Sequence, residues 1–240
     1  MTSTTRRVAA IVPAYNEQET LAEVLSVLKA IPLIDEVLVV SDGSTDETVA
    51  IARGMKLKTI HLRENHGKGT AMAVGVAHAS ADILVFVDGD ILNLTESMLE
   101  RLIRPVLDGR SDMNVGIRNR GRVLNAIHQT CGPLLSGIRC LRREIFEAVP
   151  EEQLAGFAVE TGLNWSCRQL GMRTTTTLFF HLKHLVKEKK RGLWRGARAR
   201  VTMFASVFHA YLSLVLTHPG LRRADAASPL TLEREYVIFS

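Results

Sequence analysis

Four short runs rich in Val, Ile and Leu, each followed at once by polar or glycine-bearing sequence, recur within the first 90 residues and alternate with segments of helical periodicity. The runs are Val8 to Val12, Glu36 to Val40, Leu57 to Leu62 and Ile83 to Val87. Between them, Glu17 to Ala30, Asp46 to Arg53 and Gly69 to Ala79 carry apolar residues at helical spacing, as in Leu21, Val24, Leu25 and Leu28. Strands that alternate with helices form βαβ units, because parallel neighbours need a crossover. The expected class is α/β, with a Rossmann-like, mostly parallel sheet flanked by helices.

The strand ends constrain function more than the strands do. PAYNE follows the first, SDGSTDE the second, RENHGKG the third and DGD the fourth. Ligands of an open α/β sheet collect outside the carboxyl ends of its strands, so these four endings are expected to converge on one cleft. Beyond Asp90 the pattern predicts a helix over Thr95 to Leu107 and strands at Met113 to Ile117 and Gly137 to Leu141. A helix over GFAVETGLNWSCRQLG, ended by Gly171, and a strand over Met172 to Phe180 follow. The expected division is a main domain over residues 1–192, with halves at 8–90 and 91–192, and a C-terminal helical appendage over residues 193–240.

Charge is uneven. The net +5 gathers in the second half, where Arg118, Arg120, Arg122, Arg139, Arg142 and Arg143 fall in a stretch without an acidic residue, and Lys183 to Arg200 contains only Glu188. That points to an anionic partner, with a solvated face as the plain alternative for any single residue. A non-catalytic nucleic-acid-binding protein is the rival reading from another class, but no helix-turn-helix, zinc-finger or aromatic stacking pattern accompanies the arginines, so no nucleic-acid partner is expected. Cys131, Cys140 and Cys167 are odd in number and lack CxxC spacing, which argues against a disulfide framework or structural zinc. They read as small buried apolar residues of a reducing compartment. The apolar run behind Arg6 and Arg7 soon reaches Pro13 and Asn16, unlike a signal peptide, so the expected location is cytoplasmic.

Asp88 and Asp90 in VFVDGD leave a buried-looking strand one residue apart, an arrangement that can share a hard cation such as Mg2+ or Mn2+ with substrate phosphate oxygens. In DGSTD, Ser44 or Thr45 can cap the next helix, while Asp42 can accept from a base N–H or a ribose hydroxyl. Lys68, between Gly67 and Gly69 at a predicted helix start, suits a phosphate or a base carbonyl.

IVPAYNEQETL, VVSDGSTDETV, NHGKGTAMAVGV and FVDGD, in that order and spacing, resemble the family 2 glycosyltransferases over residues 8–90. The resemblance implies a GT-A fold whose nucleotide-sugar pocket is lined by Pro13, Ala14, Tyr15 and Glu17. It further implies that Asp42 and Lys68 contact the nucleoside, and that Asp88 and Asp90 hold metal and diphosphate. Ser41 departs from the family, which usually carries an acidic residue there. A sugar-phosphate nucleotidyltransferase shares the α/β design but should open with a glycine-rich loop, and PAYNE has no glycine.

The second half, through GRVLNAI, PLLSGIRCLRREIFEAVP, GFAVETGL and FFHLKH, is similar in layout to the glucosyl-3-phosphoglycerate synthases. SGIRCLRRE is equally similar to the polyprenyl-phosphate glycosyltransferases. Both resemblances imply a phosphate-bearing acceptor, met by Arg118, Ser136, Gly137 and Arg139, since guanidinium forks match phosphate oxygens. They imply hexosyl transfer with inversion from a UDP- or GDP-linked donor. Asp90 and Glu160 are then the catalytic candidates, Glu160 as general base or acceptor-positioning group. The plain alternative for Glu160 is a favourable charge in the first turn of its helix. By the same analogy His181 completes the metal shell, with His184 nearby.

A last helix is expected over Leu193 to Leu216, with Pro219, Gly220 and Pro229 breaking the tail behind it. Its apolar part is interrupted by Thr202, Ser206, His209 and Ser213, which makes it short and polar for a membrane span. Residues 187–216 therefore read either as a surface anchor at the inner face of the membrane or as a packing helix of a homodimer.

Overall fold

The computed structural model describes residues 6–118, 136–154, 159–184 and 236–239. Strands β1 (Val8–Ala14), β2 (Glu36–Asp42), β3 (Lys58–Leu62) and β4 (Ile83–Phe86) alternate with helices α1 (Leu21–Ala30), α2 (Thr48–Gly54) and α3 (Lys68–His78). β1 pairs in parallel with both β2 and β4, and β2 in parallel with β3. Every residue of β1 is buried, which explains its continuous apolar run: it is covered on both faces.

Successive side chains of β1 serve opposite layers. Ala9 and Ile11 join the core under α3, whereas Val8, Ala10 and Val12 join the core that holds Leu21, Val24, Leu25 and Leu28 of α1. Gly75 sets how closely α3 approaches, since a Cβ there would lie 2.5 Å from Ile11 Cγ2. Helix α1 begins at Leu21 and not at Glu17; in the turn ahead of it the Glu17 and Gln18 N–H groups donate to Thr48 Oγ1 and Asp46 Oδ2.

Past β4 come a short strand β5 (Ile91–Leu92) and helix α4 (Glu96–Leu107), whose Thr95 side chain accepts the Met98 N–H at 3.3 Å. β6 (Met113–Arg118), β7 (Arg139–Arg142), α5 (Arg143–Glu147), α6 (Val159–Gln169), β8 (Thr174–Phe179), β9 (Lys183–His184) and β10 (Tyr236–Phe239) follow. The eight-stranded sheet runs β10-β3-β2-β1-β4-β7-β6-β8, with β7 and β10 antiparallel to their neighbours, and β5 pairs with β9 in a small ribbon. The expected mostly parallel α/β sheet flanked by helices is thus the fold, with antiparallel β7 within it and β10 added at the edge from sequence read as tail. The helix expected over Leu193 to Leu216 lies outside the described residues.

The described arginines of the basic stretch do not form one surface, and Arg120 and Arg122 lie outside the described residues. Arg143 donates to the carbonyls of Val76, Ala79 and Ala81 at the C-terminal end of α3, and Arg142 pairs with Asp112 and Glu144. Both sit at the end of β4 opposite the DGD sequence, where carbonyls at a helix end attract cations. Cys140 and Cys167 are free and buried, and burial pushes both thiols up. Cys131 lies outside the described residues. Among the described residues no helix is long and apolar enough to cross a membrane.

Candidate active site

The PAYNE and DGSTD loops are laced together by side chains reaching backbone. Ser44 Oγ accepts the Asn16 N–H at 3.1 Å, and Asn16 Oδ1 accepts the Thr45 N–H at 2.9 Å, with Asn16 in the left-handed region. Neither Ser44 nor Thr45 caps α2. Glu47 holds the N-cap position without a side-chain cap bond, and Asp46 just before it accepts the Thr48 N–H at 3.0 Å and the Gln18 N–H at 3.2 Å. A bond from the Thr48 hydroxyl, with these two from backbone N–H groups, holds its carboxylate below the usual range against the opposing effect of burial. Ser41 is buried and meets the His61 ring at 3.1 Å, so the departure from the family pattern is absorbed by a contact between β2 and β3.

Asp42, at the end of β2, uses both carboxylate oxygens on the loop before α3: Oδ1 accepts the His66 N–H at 2.8 Å and Oδ2 the Gly67 N–H at 2.9 Å. Gly67 has φ 92°, a value that disfavours any residue with a Cβ, and it turns the chain so that Lys68 opens α3. Lys68 Nζ then lies 2.6 Å from Asp88 Oδ1 and 2.9 Å from Glu160 Oε1. Burial would pull this ammonium down, but the two carboxylates outweigh it and raise it above the ordinary lysine range. Among the described residues Glu160 Oε2, which is buried, has no hydrogen-bond partner.

Gly137 closes over this pair, since a Cβ on it would fall on the Asp88 carboxylate and the Lys68 ammonium. The turn that carries it is fixed from both sides. Ser136 Oγ donates to the Gly116 carbonyl, and the Ser136 carbonyl accepts from Arg139 Nε at 2.8 Å. Arg139 is fully buried in β7, and another of its nitrogens donates to Asn164 Oδ1 at 2.7 Å. Burial pushes it down to about 10, opposed by Glu160 and Asp88, and a guanidinium remains charged at neutral pH. Two enclosed cations therefore face two carboxylates beneath the cleft.

The cleft itself has a volume of about 510 Å³ at the carboxyl ends of β1 to β4. Pro13, Ala14, Tyr15 and Glu17 line one side, and Asp42, Lys68, Asp88 and Asp90 the rest, together with Asn65, Gly67, Ala71 and Gly89. Glu160 reaches it through Lys68. Arg118 sits half-buried at the end of β6 and is not among those lining residues. His181 is exposed, its carbonyl accepting from Asn93 Nδ2, and among the described residues no three carboxylate, imidazole or thiolate groups converge as a metal cage. The reach of Lys68 to Glu160 and the anchoring of Arg139 by Asn164 were not foreseen. Asn164 follows Glu160 by one helical turn, and that spacing was the available signal.

Parallel strands ending around a cleft with this lysine and these carboxylates define the GT-A class of sugar-nucleotide transferase folds. The chain belongs to glycosyl transferase family 2, whose family model matches residues 9–128. It is 30% identical over 199 residues to the glucosyl-3-phosphoglycerate synthase of Mycolicibacterium smegmatis, covering 66% of this chain and 63% of the relative. It is 29% identical over 167 residues to the undecaprenyl-phosphate 4-deoxy-4-formamido-L-arabinose transferase of Sodalis glossinidius, covering 60% and 51% respectively. The chain thus spans between about half and two thirds of these curated relatives. The crystal structure of Mycobacterium tuberculosis glucosyl-3-phosphoglycerate synthase with Mn2+, uridine diphosphate and glucosyl-3-phosphoglycerate superposes with a TM-score of 0.71 at 25% identity. That superposition covers 87% of this chain and 79% of the synthase.

Proposed function

We propose that the chain is a divalent-metal-dependent glycosyltransferase that moves a hexose from a UDP- or GDP-linked donor to a phosphate-bearing acceptor with inversion. The observation that carries the proposal is the meeting of Asp42, Lys68, Asp88 and Asp90 with the PAYNE loop in one cleft. The similar synthase structure holding Mn2+ and uridine diphosphate supports it and favours uracil as the base.

A hard cation fits the donors present. Asp88 and Asp90 supply carboxylate oxygens on one wall, and Asp88 already carries a positive group at short range. With two carboxylates and no protein cage among the described residues, the remaining ligands would come from the diphosphate, as Mg2+ and Mn2+ accept. When bound, the ion would help to neutralise the departing nucleoside diphosphate. Lys68 contributes a second positive charge to the same leaving group, and Asp42 supports it by fixing the loop on which it stands. Glu160 offers Oε2 for an acceptor hydroxyl, while Ser136 and Gly137 shape the acceptor side and Arg139 holds their turn. Arg118 and His181 are assigned to the outer acceptor and metal sides.

Both relatives are named for acceptors that carry phosphate, which favours that class for this chain. A lipid-linked acceptor would also call for membrane-surface contact through residues 187–216, at the cytoplasmic face, and a soluble one would leave that segment for homodimer packing.

The test is thermal stabilisation and hydrolysis across a panel of nucleotide sugars with and without Mn2+, followed by acceptor trials with phosphoglycerate and short polyprenyl phosphates. D88A and D90A are expected to fold and to lose metal-dependent nucleotide binding and transfer. Unaltered turnover in both would remove the proposal.

A further inference from the structure

Asp88 and Glu160, one leaving β4 and one opening α6, share a single ammonium, with Lys68 Nζ at 2.6 Å and 2.9 Å. The lysine is one-fifth exposed, and it stands among residues that line the cleft. We infer that Lys68 is a resident stand-in for the divalent cation: it neutralises Asp88 while the donor is absent and releases it only when a nucleoside diphosphate offers the ammonium a replacement anion. This rests on the proposed function above.

The reasoning is electrostatic. An ammonium leaving two enclosed carboxylates strands charge in a poorly solvated place, which is costly unless another partner takes over at once. A cation arriving alone must compete with a contact at hydrogen-bond distance. Arriving with a diphosphate, it comes with a new anionic partner for Lys68. Metal and nucleotide then strengthen one another's binding by the same factor, as linkage requires. The exchange asks for a side-chain movement and not a backbone one, because Asp42 fixes the backbone before Lys68 while a lysine stem has four carbons with rotatable bonds. A compact ammonium suits this part better than a planar guanidinium, which would hold a carboxylate in a two-point grip.

Mn2+ titrations on the full chain, followed by electron paramagnetic resonance with and without saturating uridine diphosphate, test the inference. In wild type, the nucleotide should tighten Mn2+ strongly. K68M should bind Mn2+ alone about tenfold more tightly than wild type and lose most of the nucleotide enhancement. E160Q, which leaves the ammonium to Asp88 alone, should bind Mn2+ alone more weakly and show a larger enhancement. K68M with wild-type Mn2+ affinity and full enhancement would overturn the inference while leaving the proposed function standing. If K68M does not fold, an E160Q enhancement equal to or below that of wild type overturns it instead. If wild type binds no Mn2+ with either uridine or guanosine diphosphate, the proposed function fails and takes this inference with it.

Discussion

The Asp42 carboxylate accepts the Gly67 N–H at 2.9 Å, one residue before the lysine that faces Asp88. With the His66 N–H at 2.8 Å on its other oxygen, the last residue of β2 sets the path by which the chain enters α3. The side chain read from sequence as a nucleoside contact is thus also a fastener for the lysine beside it.

D42N turns one acceptor into a donor facing an N–H. It should cost about 2 kcal/mol of stability, as expected for a charge-assisted hydrogen bond lost in an enclosed place. Urea unfolding measures the loss, and uridine diphosphate titration should show weakened binding alongside it. A variant weakened only in nucleotide affinity would mean that Asp42 touches ligand without organising the loop.

G137A should lower nucleotide affinity far more than it lowers stability. The added methyl points at the Asp88 carboxylate and Lys68, so their contact must open, while the surrounding sheet keeps its register. An overpacking cost of about 1–3 kcal/mol is expected in the melt. Wild-type uridine diphosphate affinity in G137A would show that the turn does not bear on the cleft.

Asp112 supplies a pH signature away from the site. Burial would raise its pKa, but the Arg173 N–H at 2.9 Å and the Arg142 and Arg173 side chains override this and lower it. A carboxylate depressed on folding adds stability above its unfolded value of about 3.9, and that gain is lost as pH falls through the lower folded value. Wild type should therefore be more stable than D112N near neutrality, with the gap closing below about pH 4 in urea midpoints. A gap that persists at lower pH would assign the effect to packing.

G75A separates fold from site. Alanine improves helix propensity by about 1 kcal/mol, but its methyl meets Ile11 under α3, and overpacking of about 1–3 kcal/mol should prevail. Thermal and urea midpoints should fall, with nucleotide affinity per folded molecule unchanged.

The strands up to β4 were legible because each is a buried run bounded by polar sequence, and the cleft because the polar endings share one side of a parallel sheet. Other parts depended on contacts between residues distant in sequence. The Lys68 to Glu160 bond spans 92 positions, and neither partner carries a local mark of it. Arg139 reads from sequence as an acceptor-binding residue, since burying a guanidinium needs several hydrogen-bond acceptors, and these come from the Ser136 carbonyl and from Asn164 on α6. Helix α5 is five residues long, too short to display a period. β10 follows Pro229, and its Val237 and Ile238 remain exposed, so no buried alternation announced it.

β10 also gives the sheet an unusual assembly history. Tyr236 pairs with Leu62 and Phe239 with Thr59, so the outer edge of β3 is sealed by residues made after almost all the rest of the chain. Joining residues so far apart in sequence carries an entropic toll that nearby pairings escape, so this strand is expected to pair late in folding. Until it docks, β3 presents an open row of N–H and C=O groups to any neighbouring chain, and association in that interval competes with completion of the sheet.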